Sequence, residues 1–161
     1  MKLLETILDY SDAEFNGKSF NGDSLVATLR KLSPGDAAST ATFEGHSAWG
    51  VAIHVAYCKH FLATAIAGEE VIGTFPLRAG EDSFGKPDTV DAASWEATLA
   101  CLEDLHARLS VLLRELDDAT AERTIPSWGI TLAQALAWYL THDAYHTAQI
   151  RNMGVPGTRK A

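Results

Sequence analysis

Apolar residues recur along this chain at helical rather than strand spacing. The clearest run is 131–154, where Leu132, Leu136, Tyr139, Ile150 and Met153 mark one stripe of a long helix. Thr131 and Gln134 form a capping-box pattern at its start, and Gly154 followed by Pro156 is a stop signal. A second helix is predicted over 91–116. It carries Trp95, Leu99, Leu102, Leu105, Leu109, Leu112 and Leu116 on one face, with Glu96, Glu103, Asp104, Arg108 and Arg114 elsewhere. A third, over 47–67 and closed by Gly68, is apolar or small at nearly every position. Such a helix must be covered on more than one side, by other helices or by a second subunit. Asp23 is the expected cap of a fourth helix through Leu25, Val26, Leu29 and Leu32, ending near Ser33-Pro34-Gly35. The opening 1–10, with Leu3, Leu4, Ile7 and Leu8 at helical spacing, predicts a short helix.

Between these runs the pattern breaks. EFNGKSFNG holds two Asn-Gly turn signals, and 36–45 reads as irregular, anchored by Phe43. The stretch 69–90 contains Gly73, Pro76, Gly80, Gly85 and Pro87 and has no sustained period. Connections longer than about 12–15 residues are uncommon in compact domains and are often functional, so this one is expected to roof a pocket or meet a partner. Residues 117–129, with Pro126 and Trp128, link the last two helices. No run shows strand alternation and no repeat is visible. The chain therefore reads as one all-α domain over 1–161, a bundle of four substantial helices plus the short opening one. The long connection falls between the second and third of the four, so an up-down-up-down order is not required.

Composition narrows the function classes. The 161 residues are 47% hydrophobic and 21% charged, with a formal net charge of -8, a balance that disfavours nonspecific contact with nucleic acid. Acidic residues interrupt the opening where a signal peptide would be apolar. No segment has the roughly 18–20 uninterrupted apolar residues of a membrane span, so a cytoplasmic protein is expected, without membrane or nucleic-acid partners. Cys58 and Cys101 are isolated, which favours buried thiols over a disulfide framework or zinc knuckle.

The candidate chemistry lies in the histidines. His142 and His146 are four apart, on one face of the last helix, with His146 within the apolar stripe and His142 on its flank. A buried imidazole needs a hydrogen-bond or metal partner, so this pair requires an explanation. On the 47–67 helix His54 falls with Val51, Cys58, Phe61, Leu62 and Ala65, whereas His60 falls on the opposite side with Trp49, Ala56 and Thr64. An inward His54 would complete a three-imidazole site with a position left open, the arrangement of a catalytic metal centre. The alternative is a pair hydrogen-bonded in a polar core layer.

The stretch THDAYHTAQI resembles the HDxxHxxQI signature of the DinB-like (DNA-damage-inducible) four-helix proteins. SAWGVAIHVAYCKHF resembles that family's second-helix motif, an aromatic near the helix start followed by a histidine. The helix lengths, the SFNGDSL segment and the long middle connection extend the likeness over most of the chain. The resemblance implies a left-handed four-helix bundle of up-down-down-up topology that holds a divalent ion through three histidines. Carried onto this sequence, those positions are His54, His142 and His146. Zinc or nickel is the expected ion, with manganese or iron as alternatives, and a homodimer is expected. Some relatives are transferases or isomerases that use a low-molecular-weight thiol such as bacillithiol, mycothiol or glutathione, and many have no known reaction.

Three functions remain open at this point. The first is a metal- and thiol-dependent transferase, with a metal-dependent hydrolase as its variant. The second is a non-catalytic metal-binding stress-response module, and the third is a metal-free bundle with a polar core. Around the triad, Gln149 is a candidate to orient the His146 ring, or else to make an interhelical hydrogen bond. Tyr57 and His106 are further candidate supporting groups, with packing and partial solvation as their competing readings. Asp143 adjoins His142 but points elsewhere, and is expected to contact a neighbouring helix. His46 and His60 are expected at the surface or in loops.

Overall fold

The computed structural model describes residues 2–80 and 83–156. Its elements in chain order are α1 (Lys2–Asn16), α2 (Leu25–Leu29), α3 (Pro34–Ala38), α4 (Ala48–Ala67), α5 (Glu69–Ile72), α6 (Ala92–Arg114) and α7 (Asp118–Ala121). They continue with β1 (Thr124–Ile125), β2 (Ile130–Thr131) and α8 (Leu132–Asn152). Four long helices, α1, α4, α6 and α8, form the bundle, so the chain is all-α. The only sheet among the described residues is the antiparallel pair β1–β2, with Thr124 opposite Thr131 and Ile125 opposite Ile130. Two residues per strand are too few to show alternation in sequence.

Contacts between helices fix their directions. Phe15 stacks on His106 while Arg114 reaches back to Asp9, so α1 and α6 run antiparallel. Trp49 meets Trp95 and Thr98 at one end, and Leu62 joins Leu109 and Leu113 at the other, so α4 and α6 run parallel. Lys59 bonds Tyr139 and Asp143 while His54 lies against His142 and His146, so α4 and α8 run antiparallel. Taken in chain order, the long helices run up, down, down, up. The parallel pair α4 and α6 needs a connection that travels the length of the bundle, and residues 68–91 supply it.

The first bundle helix is not where hydrophobic spacing alone puts it. The opening helix continues to Asn16, past the expected end at Tyr10, because the polar residues beyond Tyr10 find partners inside the bundle. Ser11 and Glu14 are buried; Asp12 accepts from Ser110 and Arg114 and pairs with the ring of His106. The Asp23 segment, expected as a substantial helix, is the single turn α2. Ser24 rather than Asp23 caps it, with its Oγ accepting from the Ala27 amide. The predicted stripe positions Leu3 and Leu4 lie outside the side chains described. Phe43 anchors its segment through its backbone, its amide donating to the Met153 carbonyl at 2.8 Å, while its ring is 79% exposed beside Gly154.

Helix α4 is the centre of the molecule. By length and mean hydropathy (1.3) it could cross a membrane, yet 61% of that apolar window is buried within the chain. Trp49, Val51, Ala52, Val55, Ala56, Leu62 and Ala63 are all at most 1% exposed. Burial on several sides follows from contact with α3, α6 and α8. The connection after it packs as well: Phe75, Leu77, Ala79 and Phe84 rest on the core. Gly85 lets the backbone approach closely. A Cβ there would overlap the Arg78 carbonyl oxygen and lie 2.6 Å from Ile53 Cγ2.

Candidate metal centre

Two capped helices carry the histidines. Ser47 Oγ accepts from the Gly50 amide at the start of α4, and Thr131 and Gln134 form the reciprocal capping box at the start of α8. With both ends fixed, the i, i+4 spacing on α8 brings His146 Nε2 to 3.0 Å from His142 Nε2. Helix α4 brings His54 Nε2 to 3.3 Å from the same atom. One ligand atom from each of the three lies within 4.8 Å of the other two. A zinc–nitrogen bond of about 2.0–2.1 Å places the corners of a tetrahedron about 3.3 Å apart, so the 3.0 and 3.3 Å separations from His142 suit ligands of one ion.

The far sides of two of the three rings are held as ligands require. Gln149 donates its amide to Glu44, which leaves its Oε1 to accept, at 2.7 Å, from His146 Nδ1. His146 therefore carries its proton on Nδ1 and presents a lone pair on Nε2. Ser83 Oγ lies 2.7 Å from His54 Nδ1. Ser83 has φ 66, in the left-handed region that a residue other than glycine seldom enters, and the backbone holds it there over the ring. Nδ1 of His142 is buried without a hydrogen-bond partner.

Electrostatics favour the neutral rings. Burial pushes His142 down to about 2, helped by the neighbouring His146 and His54 and by Lys59. Burial also lowers His146, against the hydrogen bond to Gln149. Unprotonated imidazoles are the form that binds metal, so the donor set fits a divalent ion. Cys58 Sγ is 3.8 Å from His54 Nε2, and burial pushes its thiol up to about 12; the converging ligand atoms are those of the three histidines. Cys101 is half-buried and packs against the core.

The three histidines line a cleft of about 370 Å³ together with Trp138, Thr141 and Tyr145. The connection after α4 lies over one side of it. The Phe84 ring stacks on His54 at 4.5 Å and 4°, and also stacks on His46 at 4.4 Å. Trp138 lies 4.4 Å from the His142 ring and continues outward to Trp128 and Phe61. One side of the site is thus roofed and the other is an aromatic mouth.

The remaining candidates lie elsewhere. Tyr57 is 36% exposed and packs edge-on against Phe75. His106 is buried between α1 and α8, bonded to Asp12 at 2.9 Å and near the Tyr139 hydroxyl, away from the triad. His60 is 8% exposed, so the expected surface position does not hold. The covering comes from the ring of Phe75 in the long connection, which wheel geometry cannot foresee. Asp143 contacts the neighbouring helix, bonding Lys59 Nζ at 2.7 and 2.9 Å. Lys59 escaped the sequence reading, although a lone lysine in an otherwise apolar helix was a usable signal. Ser83, Phe84 and Glu44 left none, because only the path of the connections brings them here.

No curated protein and no solved structure matches the chain. Residues 19–150 match the DinB superfamily, and that span begins before α2 and takes in both ligand-bearing helices. With more than half of its length matched, a bundle of four long helices and three converging histidines, the chain belongs to the DinB superfamily.

Proposed function

We propose that this protein is a divalent-metal-dependent enzyme in which His54, His142 and His146 hold the ion and a small thiol takes the position facing the cleft. The observation that carries this is the convergence of three imidazoles that line one cleft. When bound, the ion lowers the pKa of a coordinated thiol and so supplies a nucleophile near neutral pH. Gln149 and Ser83 orient two of the rings, and Phe84 and Trp138 exclude water from their flanks. The thiol proton leaves to solvent through the open mouth. Thr141 and Tyr145 offer hydroxyls at the rim to position an electrophile whose carbon would bond the sulfur as its bond to the leaving group breaks, the leaving group taking that electron pair and departing through the same mouth. No carboxylate lines the cleft among the described residues. The same arrangement would also activate a bound water, which keeps a metal-dependent hydrolase as the variant reading.

The test has two stages. Protein purified without an affinity tag should contain close to one divalent ion per chain by elemental analysis. His54→Ala, His142→Ala and His146→Ala should each lose it. Cobalt-loaded protein should then change its visible spectrum on addition of a low-molecular-weight thiol. A metal-bearing protein whose spectrum ignores thiols would instead support a non-catalytic metal-binding module, a reading favoured by the way the triad ties α4 to α8. Absence of metal in the wild type would end both.

A further inference from the structure

Behind the triad lies a buried ion pair with no role in the chemistry above. Lys59 is 0% exposed and Asp143 1%, and both carboxylate oxygens accept from Nζ, at 2.9 and 2.7 Å. Tyr139 adds its hydroxyl at 3.1 Å, and the rings of Phe15 and Tyr139 each lie 4.7 Å from the ammonium. Burial alone would push Lys59 down, but the Asp143 carboxylate and Tyr139 outweigh it and raise it. Two apolar residues of similar volume would serve the stability of a core at least as well as such a pair. What apolar contacts lack is direction, and direction is needed here.

Helix α4 carries His54 and helix α8 carries His142 and His146, so the site exists only at one axial and rotational setting of the two. Ala48, Gly50, Ala52, Ala56 and Ala63 are among the buried residues of α4, and the apolar contacts that surround them are non-directional. A slip of one helical turn would move a ligand by about 5.4 Å, well beyond coordination reach. Asp143 sits between the two α8 ligands in sequence, and Lys59 lies five residues beyond the α4 ligand. At about 100° per residue both point away from the cleft and into the bundle. The carboxyl-bearing turn is tightened further by Thr147, whose hydroxyl donates to the Asp143 carbonyl at 2.7 Å.

We infer that Lys59 and Asp143 are positioning residues, a directional lock that sets the register of α4 against α8 so that three imidazoles from two helices meet. This rests on the metal reading, and the test separates the two. Metal affinity is measured by cobalt titration, and thermal stability is measured on metal-free protein, for the wild type and for the paired replacement Lys59→Met/Asp143→Leu. Leu109→Ala serves as a control for general loosening, because it hollows the core on α6 and removes no hydrogen-bonding group of the lock. The paired replacement should keep metal-free stability near or above the wild type. It should nonetheless weaken cobalt binding by about tenfold to a hundredfold, the range typical of lost support around metal ligands. Leu109→Ala should lower stability with little effect on affinity. If the paired variant folds and binds cobalt within about threefold of the wild type, or loses no more affinity than Leu109→Ala, the lock is refuted while the metal site stands. Should the pair fail to fold, Asp143→Asn, which keeps the shape and one Lys59 contact, is measured in its place against the same two thresholds. A wild type that binds no cobalt would instead refute the metal reading itself.

Discussion

Single side chains settle how this site is tuned. Gln149 is fixed at both ends, donating to Glu44 and accepting from His146 Nδ1. Gln149→Ala should therefore weaken metal binding by about tenfold to a hundredfold with little loss of fold, checked by competition with a chromogenic chelator. His106 has the opposite character, a buried histidine with a structural task. Burial, with Lys59 nearby, pushes it down to about 4 in spite of Asp143 and Asp12; Arg114 also binds Asp12, and Tyr139 faces the ring. Between about 6.5 and about 4 the unfolded chain binds a proton there that the folded chain refuses, so stability falls as the pH falls through that window. The loss from this group is on the order of 3 kcal/mol, and His106→Gln should remove that share in urea titrations across the same range, while the shares of His60, His142 and His146, which burial also lowers, remain. Asp12 is lowered, with Arg114 and His106 outweighing its burial, so its own contribution is lost only below the ordinary carboxylate range and does not blur the result.

At the scale of elements, the connection after α4 does more than return the chain to the far end of the bundle. It delivers Ser83 and Phe84 to His54, and it can do so only because its backbone lies against α4 at Gly85. Gly85→Ala would drive a methyl into the Arg78 carbonyl and the Ile53 side chain, and the loop, being less rigid than the helix, is the part that gives way. We expect a loss of about 1–3 kcal/mol by chemical denaturation, accompanied by weaker metal binding as Ser83 is withdrawn from His54. A protein that loses stability but keeps its affinity would show that the roof covers the ring without supporting it. The opening helix shows the same dependence on partners. Its second half forms because α6 supplies Arg114, Ser110 and His106 to Asp12, not because its own sequence is strongly helical.

For the whole molecule, the triad joins helices far apart in sequence, so an ion held there stabilises the native bundle and not the unfolded chain. At a free concentration about 100 times its dissociation constant it should add about 2.7 kcal/mol, which for a chain of this size raises Tm by roughly 5–10 °C. Calorimetry with and without a chelator checks this, and His142→Ala should abolish the difference. Much of this architecture was legible in the sequence. The three longer bundle helices, the capping box at Thr131, the long connection and the His142–His146 pair follow from apolar period, capping chemistry and the i, i+4 rule, and His54 from the helical wheel and the family resemblance. These are local properties, fixed by neighbours within a few residues. The extent of α1, the shortness of α2, the burial of His60, the Lys59–Asp143 pair and the reach of Ser83 to His54 depend on residues from distant parts of the chain. A polar side chain looks the same in sequence whether water or a buried partner satisfies it. Only the tertiary structure decides which, because the partner arrives through packing.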